Sequence, residues 1–316
     1  MVVMCPGQGA QQVGMGRDLA ERFPAARETF AAIDAALGIP LSRVMWDGPE
    51  DELTLTHNAQ PAILAHSAAV LAVIGRRLSD VRAATGHSLG EYSAHVAAGS
   101  LSAADAARLV RRRGELMLEA GRQRPGAMSA VVGLDVPAVE AACREASRDG
   151  RVAVPANLNS PEQTVISGDA EAVARAGDGC KTRGAKRVIP LKVSGAFHSP
   201  LMSPAASGLQ QALAGVRFSE FRCPVVANAT AEPVREAADA VRLLVEQLTA
   251  PVRWTDCVRA AAALAPGAVF IEAGPGAVLT GLLKRILPEA KGITLGTADE
   301  LERFLDADRS PLTAYH

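Results

Sequence analysis

Hydrophobic residues are arranged along the chain as short continuous runs that alternate with longer segments of helical periodicity. The runs, which are typical of buried strands, lie at residues 2–5, 81–85, 224–228 and 268–273. The helical segments lie at residues 17–37, 62–78, 89–98, 103–120, 239–248 and 277–286. Strands that alternate with helices in this way indicate an α/β protein.

Three other segments complete this pattern. Pro61 is predicted to begin the 62–78 helix, which is apolar almost all round and should therefore be buried. Residues 46–56 are polar and are predicted to form surface loop and short helix. The last dozen residues are also polar, and we expect them to be frayed.

In the middle third of the chain, the predicted strands and helices are shorter and follow a different order. This segment predicts strands and helices in the order βαββαβ at residues 127–134, 137–147, 152–157, 163–168, 170–183 and 186–193. This order is the ferredoxin-like arrangement. The sequence therefore predicts a small ferredoxin-like subdomain at residues 123–192, inserted into a larger core made of residues 1–122 and 193–316.

Composition narrows the class of protein further. The 316 residues are 48% hydrophobic and 21% charged, as in a globular chain with a large core. The formal net charge of −1 gives no general attraction to nucleic acid or to an anionic membrane. We expect no signal peptide and no membrane-spanning segment. The five scattered cysteines lack metal-ligand spacing and are typical of reduced thiols in a cytoplasmic protein.

One short motif carries the strongest chemical signal. Gly86-x-Ser88-x-Gly90 follows a predicted strand and precedes a predicted helix, which is the context of a nucleophile elbow. Glu91 follows Ser88 by three residues, as in a capping box, and so supports a helix start here. The alternative interpretation is a coincidental turn, which a pentapeptide alone does not exclude.

Other polar residues allow two interpretations each. Arg113 lies on the apolar face of the 103–120 helix, where a buried cation requires an anion, either a structural or a substrate carboxylate. His198 follows an apolar strand and is placed to project into a cleft, whereas His66 is predicted to be a core residue. A basic cluster is either a solvated face or a docking site for an acidic partner; its members are Lys181, Arg183, Lys186 and Arg187, with Lys284 and Arg285 as further candidates.

Taken together, the motifs resemble those of the malonyl-CoA:acyl carrier protein transacylase family, which includes the acyltransferases of polyketide synthesis. Seven motifs occur in the family's order and cover nearly the whole chain: Pro6–Gln11, Gly86–Tyr92, Arg111–Gly114, Asn157–Pro161, Gly195–Ser199, Gln247 with Pro251–Trp254, and Glu272–Gly276. The resemblance implies an α/β-hydrolase-like core with the inserted ferredoxin-like subdomain.

The resemblance also implies a mechanism, which is ping-pong transfer of a malonyl group from coenzyme A to the phosphopantetheine thiol of an acyl carrier protein. Ser88 would be the nucleophile and His198 the general base, oriented by the backbone carbonyl of Gln247. Backbone amides of Gln8 and Leu89 would form the oxyanion hole. No metal or redox cofactor is implied.

Substrate recognition follows from the same resemblance. Arg113 would bind the malonyl carboxylate, with His87, Asn157 and Asn159 placed around the site. Phe197 resembles the malonyl-selective residue of modular acyltransferases, where a serine is typical of methylmalonyl selectivity. The alternatives are a thioesterase that hydrolyses acyl carrier proteins, an acyltransferase for a different acyl unit, and a non-catalytic docking module. We expect malonyl-CoA and an acyl carrier protein as partners, and a monomer.

Overall fold

The structure, a computed structural model, describes residues 1–307, which form two β-sheets with helices packed on them. The strands in chain order are β1 (Val2–Cys5), β2 (Ala83–Gly86), β3 (Ala127–Val132), β4 (Ala153–Ser160), β5 (Gln163–Gly168), β6 (Arg187–Pro190), β7 (Val225–Val226), β8 (Pro233–Val234), β9 (Phe270–Ala273) and β10 (Gly292–Leu295). The helices are α1 (Arg17–Arg22), α2 (Pro24–Leu37), α3 (Leu41–Asp47), α4 (Glu50–Thr54), α5 (Thr56–Ile74), α6 (Gly90–Ala97), α7 (Ala103–Gln123), α8 (Val136–Ala146), α9 (Ala170–Thr182), α10 (Ala206–Ala214), α11 (Ala237–Glu246), α12 (Trp254–Leu264), α13 (Val278–Ile286) and α14 (Ala298–Asp306).

The larger sheet places the ends of two distant strands side by side. Its order is β10-β9-β1-β2-β7-β8, and neighbouring strands are parallel except for β7 and β8. Strands β1, β2 and β9 are buried along their whole length, as expected for a parallel sheet covered by helices. Cys5 lies opposite Gly86 in the register. The turns that follow β1 and β2 therefore begin next to each other at one edge of the sheet.

The smaller sheet is antiparallel throughout and has the order β4-β5-β3-β6. Helices α8 and α9 pack together against it and enclose a separate hydrophobic cluster that includes Val131, Ile166 and Cys180. The element order is βαββαβ, which confirms the ferredoxin-like arrangement predicted from the sequence. Helices α12 and α13 of the larger part contact β4, which lies at the edge of this sheet.

The buried helix α5 departs from the sequence prediction in two ways. It begins at Thr56 instead of at Pro61, which lies inside it. Together with the 3-10 turn that follows, the segment Thr56–Asp80 is also long and apolar enough to cross a membrane, whereas no such segment was expected. Nearly all residues of α5 are buried, against α2, α6 and α7 among others, and a core helix of a globular protein has the same composition.

Other differences follow from weak local signals. The 17–37 segment forms two helices because Pro24, which lacks an N–H group, begins α2. Helices α10 and α12, strand β10 and helix α14 were not predicted. The frayed terminus was expected from residue 305, but α14 extends to Asp306 with a capping box between Thr297 and Glu300. The remainder of that terminus lies outside the described residues.

Candidate active site

Ser88 lies in a sharp turn between β2 and α6, as the elbow motif predicted. Its φ is 54°, in the left-handed region that residues other than glycine seldom adopt. The flanking glycines are required by close packing. A Cβ atom added to Gly86 would lie 2.0 Å from the carbonyl oxygen of Gly90, and one added to Gly90 would lie 2.2 Å from that of Cys5. Neither position therefore accepts a side chain.

The structure brings Ser88 and His198 into direct contact. Ser88 Oγ lies 2.7 Å from His198 Nε2, and His198 Nδ1 lies 2.8 Å from the backbone oxygen of Gln247. The carbonyl accepts only from a protonated Nδ1, so Nε2 is left to accept the serine proton. Burial, with the nearby Arg113 charge, lowers the pKa of His198 to about 3. The imidazole is therefore neutral at pH 7, as a base must be.

Arg113 is a fully buried cation whose hydrogen-bond partners are all neutral. Nη1 donates to Gln60 Oε1 at 2.7 Å, and Nη2 donates to Gln247 Oε1 at 2.9 Å and to Ser88 Oγ at 3.1 Å. The buried Nε has no acceptor among residues 1–307, and the ring of Tyr92 lies 5.9 Å from the guanidinium carbon. A guanidinium with unused donors beside the serine hydroxyl is suited to binding a carboxylate there.

Glu91 does not form the capping box that the sequence suggested. Helix α6 has Leu89 at its N-cap and no side-chain cap, because Ser88 Oγ instead contacts His198 and Arg113. Glu91 is fully buried and accepts hydrogen bonds from Gln247 Nε2 at 2.7 Å and from the backbone N–H of Asn228 at 2.9 Å. The capping prediction was wrong because an acid three residues after a serine occurs in a capping box and, in this protein, in a buried polar network. The spacing is the same in both cases.

Asn228 is a site residue that the sequence analysis missed. Its Oδ1 accepts from the backbone N–H of Ser88 at 2.8 Å, and its Nδ2 donates to the backbone oxygen of Gly86 at 2.8 Å. Gln247 Nε2 also donates to the backbone oxygen of Ser88 at 3.0 Å. These contacts hold the strained turn. The signal in the sequence was a polar residue at the end of the predicted 224–228 strand.

The two backbone amides expected to form the oxyanion hole lie in the adjacent turns after β1 and β2. A Cβ atom added to Gly7 would lie 2.6 Å from the backbone oxygen of His87, which shows how closely the two turns pack. Within residues 1–307 neither Gln8 N–H nor Leu89 N–H donates a hydrogen bond to the protein. The Gln8 side chain is held by Thr56, whose hydroxyl donates to Gln8 Oε1 at 3.0 Å. Two free N–H groups beside a nucleophile suit a developing oxyanion.

Two of the three other predicted substrate residues adjoin this centre along the chain. His87 Nε2 lies 2.8 Å from Asn159 Oδ1, and burial lowers the pKa of His87. Asn157 is buried on β4, where its backbone bridges to Val252, and its side chain makes no hydrogen bond within residues 1–307. Phe197 is 7% exposed and precedes His198. The structure thus places His87 next to Ser88 and Phe197 next to His198 along the chain, whereas Asn157 lies on β4 beside Val252.

Three other predictions concern residues away from the centre. His66 is buried in α5, as expected for a core histidine, and burial lowers its pKa to about 4. The five cysteines are buried and form no disulfide. Three members of the basic cluster are paired with acids on their own surface: Lys181 with Asp178, Arg183 with Glu145, and Lys186 with Glu162.

The fold and the Ser88–His198 pair at the strand-to-helix turn define an α/β-hydrolase-like enzyme built for nucleophilic acyl transfer. Residues 2–300 match the family model described as the acyl transferase domain. The chain belongs to the malonyl-CoA:acyl carrier protein transacylase family, as its motifs indicated, and it is an acyltransferase.

The chain matches relatives and solved structures of this family over nearly its full length. The chain is 44% identical over 298 residues to the malonyl CoA-acyl carrier protein transacylase of Bacillus subtilis, covering 94% of this chain and 93% of the relative. The acyl carrier protein S-malonyltransferase of Vibrio cholerae superposes with a TM-score of 0.90 at 41% identity, covering 96% and 99% of the two chains. A malonyl-transacylase in complex with a type II polyketide synthase acyl-carrier protein superposes with a TM-score of 0.92 at 42% identity, covering 97% and 99%.

Proposed function

We propose that this protein transfers the malonyl group of malonyl-CoA to the phosphopantetheine thiol of an acyl carrier protein through an ester on Ser88. The observation that carries the proposal is the position of Arg113. Its buried guanidinium contacts the Ser88 hydroxyl at 3.1 Å, and its other partners among residues 1–307 are the neutral amides of Gln60 and Gln247. An acyl chain that ends in a carboxylate supplies the missing anion at this distance from the ester. The names of the relatives support the same substrate.

In the first half-reaction, Ser88 Oγ attacks the thioester carbonyl carbon while His198 Nε2 accepts the serine proton. The Gln247 carbonyl, which accepts from Nδ1–H, stabilises the imidazolium that forms. The carbonyl oxygen becomes an oxyanion that the N–H groups of Gln8 and Leu89 bind. The tetrahedral species then expels the coenzyme A thiolate, which takes the proton from His198 and leaves as the thiol.

In the second half-reaction, the carrier protein's thiol takes the place of coenzyme A. His198 Nε2 removes the thiol proton, and the sulfur attacks the ester carbonyl of the acylated Ser88. The same N–H groups bind the oxyanion, and Ser88 Oγ leaves with the proton that His198 returns. The enzyme is regenerated, and the proposed steps use no metal ion and no redox cofactor.

The remaining site residues are proposed to shape the substrate pocket. His87, which Asn159 holds, and Asn157 would line the path of the acyl group. Phe197 would stand where a substituent on the malonyl α-carbon must go, and so would favour malonyl over methylmalonyl. The basic cluster around Lys186 and Arg187 is our proposed docking site for the acidic carrier protein, although on-surface ion pairs already neutralise part of its charge.

We further propose that the protein acts in the cytoplasm as a monomer, with neither nucleic acid nor membrane as a partner. The near-neutral net charge, which gives no general attraction to nucleic acid or to an anionic membrane, supports this part of the proposal. We also propose that residues 123–192 form a small subdomain inserted into a core of residues 1–122 and 193–316. The separate hydrophobic cluster between α8, α9 and the smaller sheet supports this division.

Intact-mass analysis after exposure to malonyl-CoA tests the proposed function. We expect a malonyl increment on the protein that disappears when an acyl carrier protein is added and reappears on the carrier. Ser88→Ala should acquire no increment while remaining folded, because removing a hydroxyl at this turn opens no core cavity. Release of free malonate without a carrier would identify a thioesterase instead, and a preference for another acyl-CoA would change the substrate.

A further inference from the structure

The positive charge of Arg113 is balanced by an acidic side chain that does not contact it. Burial lowers the pKa of Arg113, while Tyr92 and the Glu91 carboxylate raise it. No described carboxylate forms an ion pair with this guanidinium, and its hydrogen-bond acceptors are two amide oxygens and a hydroxyl. A buried cation without any nearby negative charge would be strongly unfavourable. The Glu91 carboxylate supplies that charge from one residue further away. Burial raises the pKa of Glu91 to about 7, while the hydrogen bonds from Asn228 and Gln247 and the Arg113 charge lower it, so the negative charge is fully present above pH 7.

The connection between them is the side-chain amide of Gln247. Its Oε1 accepts from Arg113 Nη2 at 2.9 Å, and its Nε2 donates to Glu91 Oε2 at 2.7 Å. The guanidinium, amide and carboxylate therefore form one continuous chain of hydrogen bonds, in which each bond polarises the next. All three side chains are buried, so water does not screen the chain.

The two ends of this chain fix the orientation of the amide. An ionised carboxylate only accepts hydrogen bonds and a guanidinium only donates them. Rotating the Gln247 amide by half a turn would place its NH₂ group against Arg113 and its oxygen against Glu91, so that both contacts would become repulsive. A neutral amide at position 91 weakens this constraint, because it can donate as well as accept, and it leaves only Arg113 and the backbone oxygen of Ser88 to favour the same orientation.

We propose that Glu91 is a positioning and specificity-determining residue, which acts through the Gln247 amide as the remote counter-ion of Arg113. It holds the guanidinium charged and in place while leaving its remaining N–H groups available for a substrate carboxylate. A carboxylate in direct contact with Arg113 would instead compete with the substrate for the same donors. This inference rests on the proposed function, because it assumes that Arg113 binds the carboxylate of the acyl group.

A purely structural role for Glu91 is the competing explanation. Glu91 also accepts from the backbone N–H of Asn228, whose side chain holds Ser88 N–H, so its loss could disturb the elbow as a whole. The two roles differ in which substrate is affected. Disturbing the elbow slows acylation by every acyl-CoA, whereas releasing Arg113 slows only acylation by a carboxylated one.

The first experiment compares Glu91→Gln with the wild type in single-turnover acylation by malonyl-CoA and by acetyl-CoA. We expect the ratio of the two kcat/KM values, malonyl over acetyl, to fall at least tenfold, mainly through a higher KM for malonyl-CoA. Glu119→Gln, the same chemical change on the exposed face of α7, serves as the matched control and should leave the ratio within twofold. An unchanged ratio in Glu91→Gln, with both reactions slowed equally, would overturn the proposal.

The second experiment exchanges the two side chains in Glu91→Gln/Gln247→Glu. This variant keeps one acid and one amide in the buried chain but places the carboxylate directly against Arg113. We expect the malonyl-to-acetyl ratio to stay at least tenfold below that of the wild type. Recovery of the wild-type ratio would overturn the proposal, because the position of the charge would then be irrelevant. Failure of the wild type itself to form a malonyl ester would instead refute the proposed function.

Discussion

Replacing Arg113 by alanine should strongly slow malonyl transfer while sparing much of the transfer of an uncharged acyl group. The guanidinium is fully buried and contacts Ser88 Oγ at 3.1 Å, so a carboxylate that binds it must lie within the acyl pocket. The truncation removes the only positive charge that we place there. An acetyl group carries no carboxylate and therefore has no ionic contact to lose.

The size of the effect follows from the hydrogen bonds involved. A hydrogen bond to a charged group contributes about 1.5–3 kcal/mol, and a carboxylate can take two N–H groups of one guanidinium. The loss is reduced because water can enter the vacated space and hydrate both the substrate and the amide oxygens of Gln60 and Gln247. We expect roughly 3–4 kcal/mol, which corresponds to about 10²–10³-fold in kcat/KM for malonyl-CoA.

The assay is quantitative intact-mass measurement of the acylated protein at short times with malonyl-CoA or acetyl-CoA. Arg112→Ala is the matched control, because Arg112 is the preceding residue on α7 and its exposed side chain pairs with Glu115. Acylation by acetyl-CoA should change by less than about tenfold in Arg113→Ala, and methylguanidinium ion should partly restore malonylation. Equal losses for both acyl groups would refute the reasoning, since Arg113 would then support the elbow and not the carboxylate.

Four further outcomes are expected. His198→Ala should slow both half-reactions by about 10²–10⁴-fold in rapid-quench kinetics, because one base serves both; impairment of a single half-reaction would require a second base. Phe197→Ser should narrow the preference for malonyl over methylmalonyl, by about 1–3 kcal/mol at most, in a competition scored by acyl-enzyme masses; a wild type that prefers methylmalonyl would contradict this. Reversing both charges in Lys186→Glu/Arg187→Glu should raise the KM for carrier protein, most at low salt, without changing self-acylation; an unchanged KM returns the cluster to a solvated face. Burial lowers the pKa of His95, a buried residue of α6, to about 3, so below pH 6.5 the folded state binds fewer protons than the unfolded state. The protein should therefore lose about 2 kcal/mol of its free energy of unfolding between pH 7 and pH 5 through His95 alone. The urea midpoint should fall less steeply with decreasing pH in His95→Gln than in the wild type, and equal slopes would contradict the assignment.

Local signals were sufficient to predict the larger elements and the turn that holds Ser88, whereas the pairing of Ser88 with His198 followed from the family resemblance. The elbow glycines, the apolar strands and the helical periodicity of α7 are each specified by neighbouring residues, so a pattern along the chain reveals them. Pro61 misled the prediction of α5 because proline is common at the first turn of a helix, and here one turn of helix precedes it. Strand β10 is as short as β1, but it contains glycine and threonine and is only partly buried, so no continuous hydrophobic run marks it.

The polar network behind the site could not be predicted in the same way. Glu91, Asn228 and Gln247 come from three separate regions of the chain, and only the packed sheet brings them together. The residue three positions after Ser88 fits a capping box equally well, so its spacing alone cannot distinguish a helix cap from a buried acid. Gln60, which accepts a hydrogen bond from Arg113, was also missed, because it precedes Pro61, the residue predicted to begin the helix.

The left-handed backbone at the Ser88 turn has a consequence for how this protein can change over generations. His198 shares it, with φ of 56° beside the 54° of Ser88, and each such residue costs about 1–2 kcal/mol in folding that glycine would largely avoid. His198 is buried and hydrogen-bonded, so its side chain offsets that cost, but at position 88 the residue that best suits the backbone is not the residue that we propose as the nucleophile. A laboratory selection for expression or heat resistance alone would favour an inactive glycine variant at position 88, and only a simultaneous demand for acyl transfer would retain the serine.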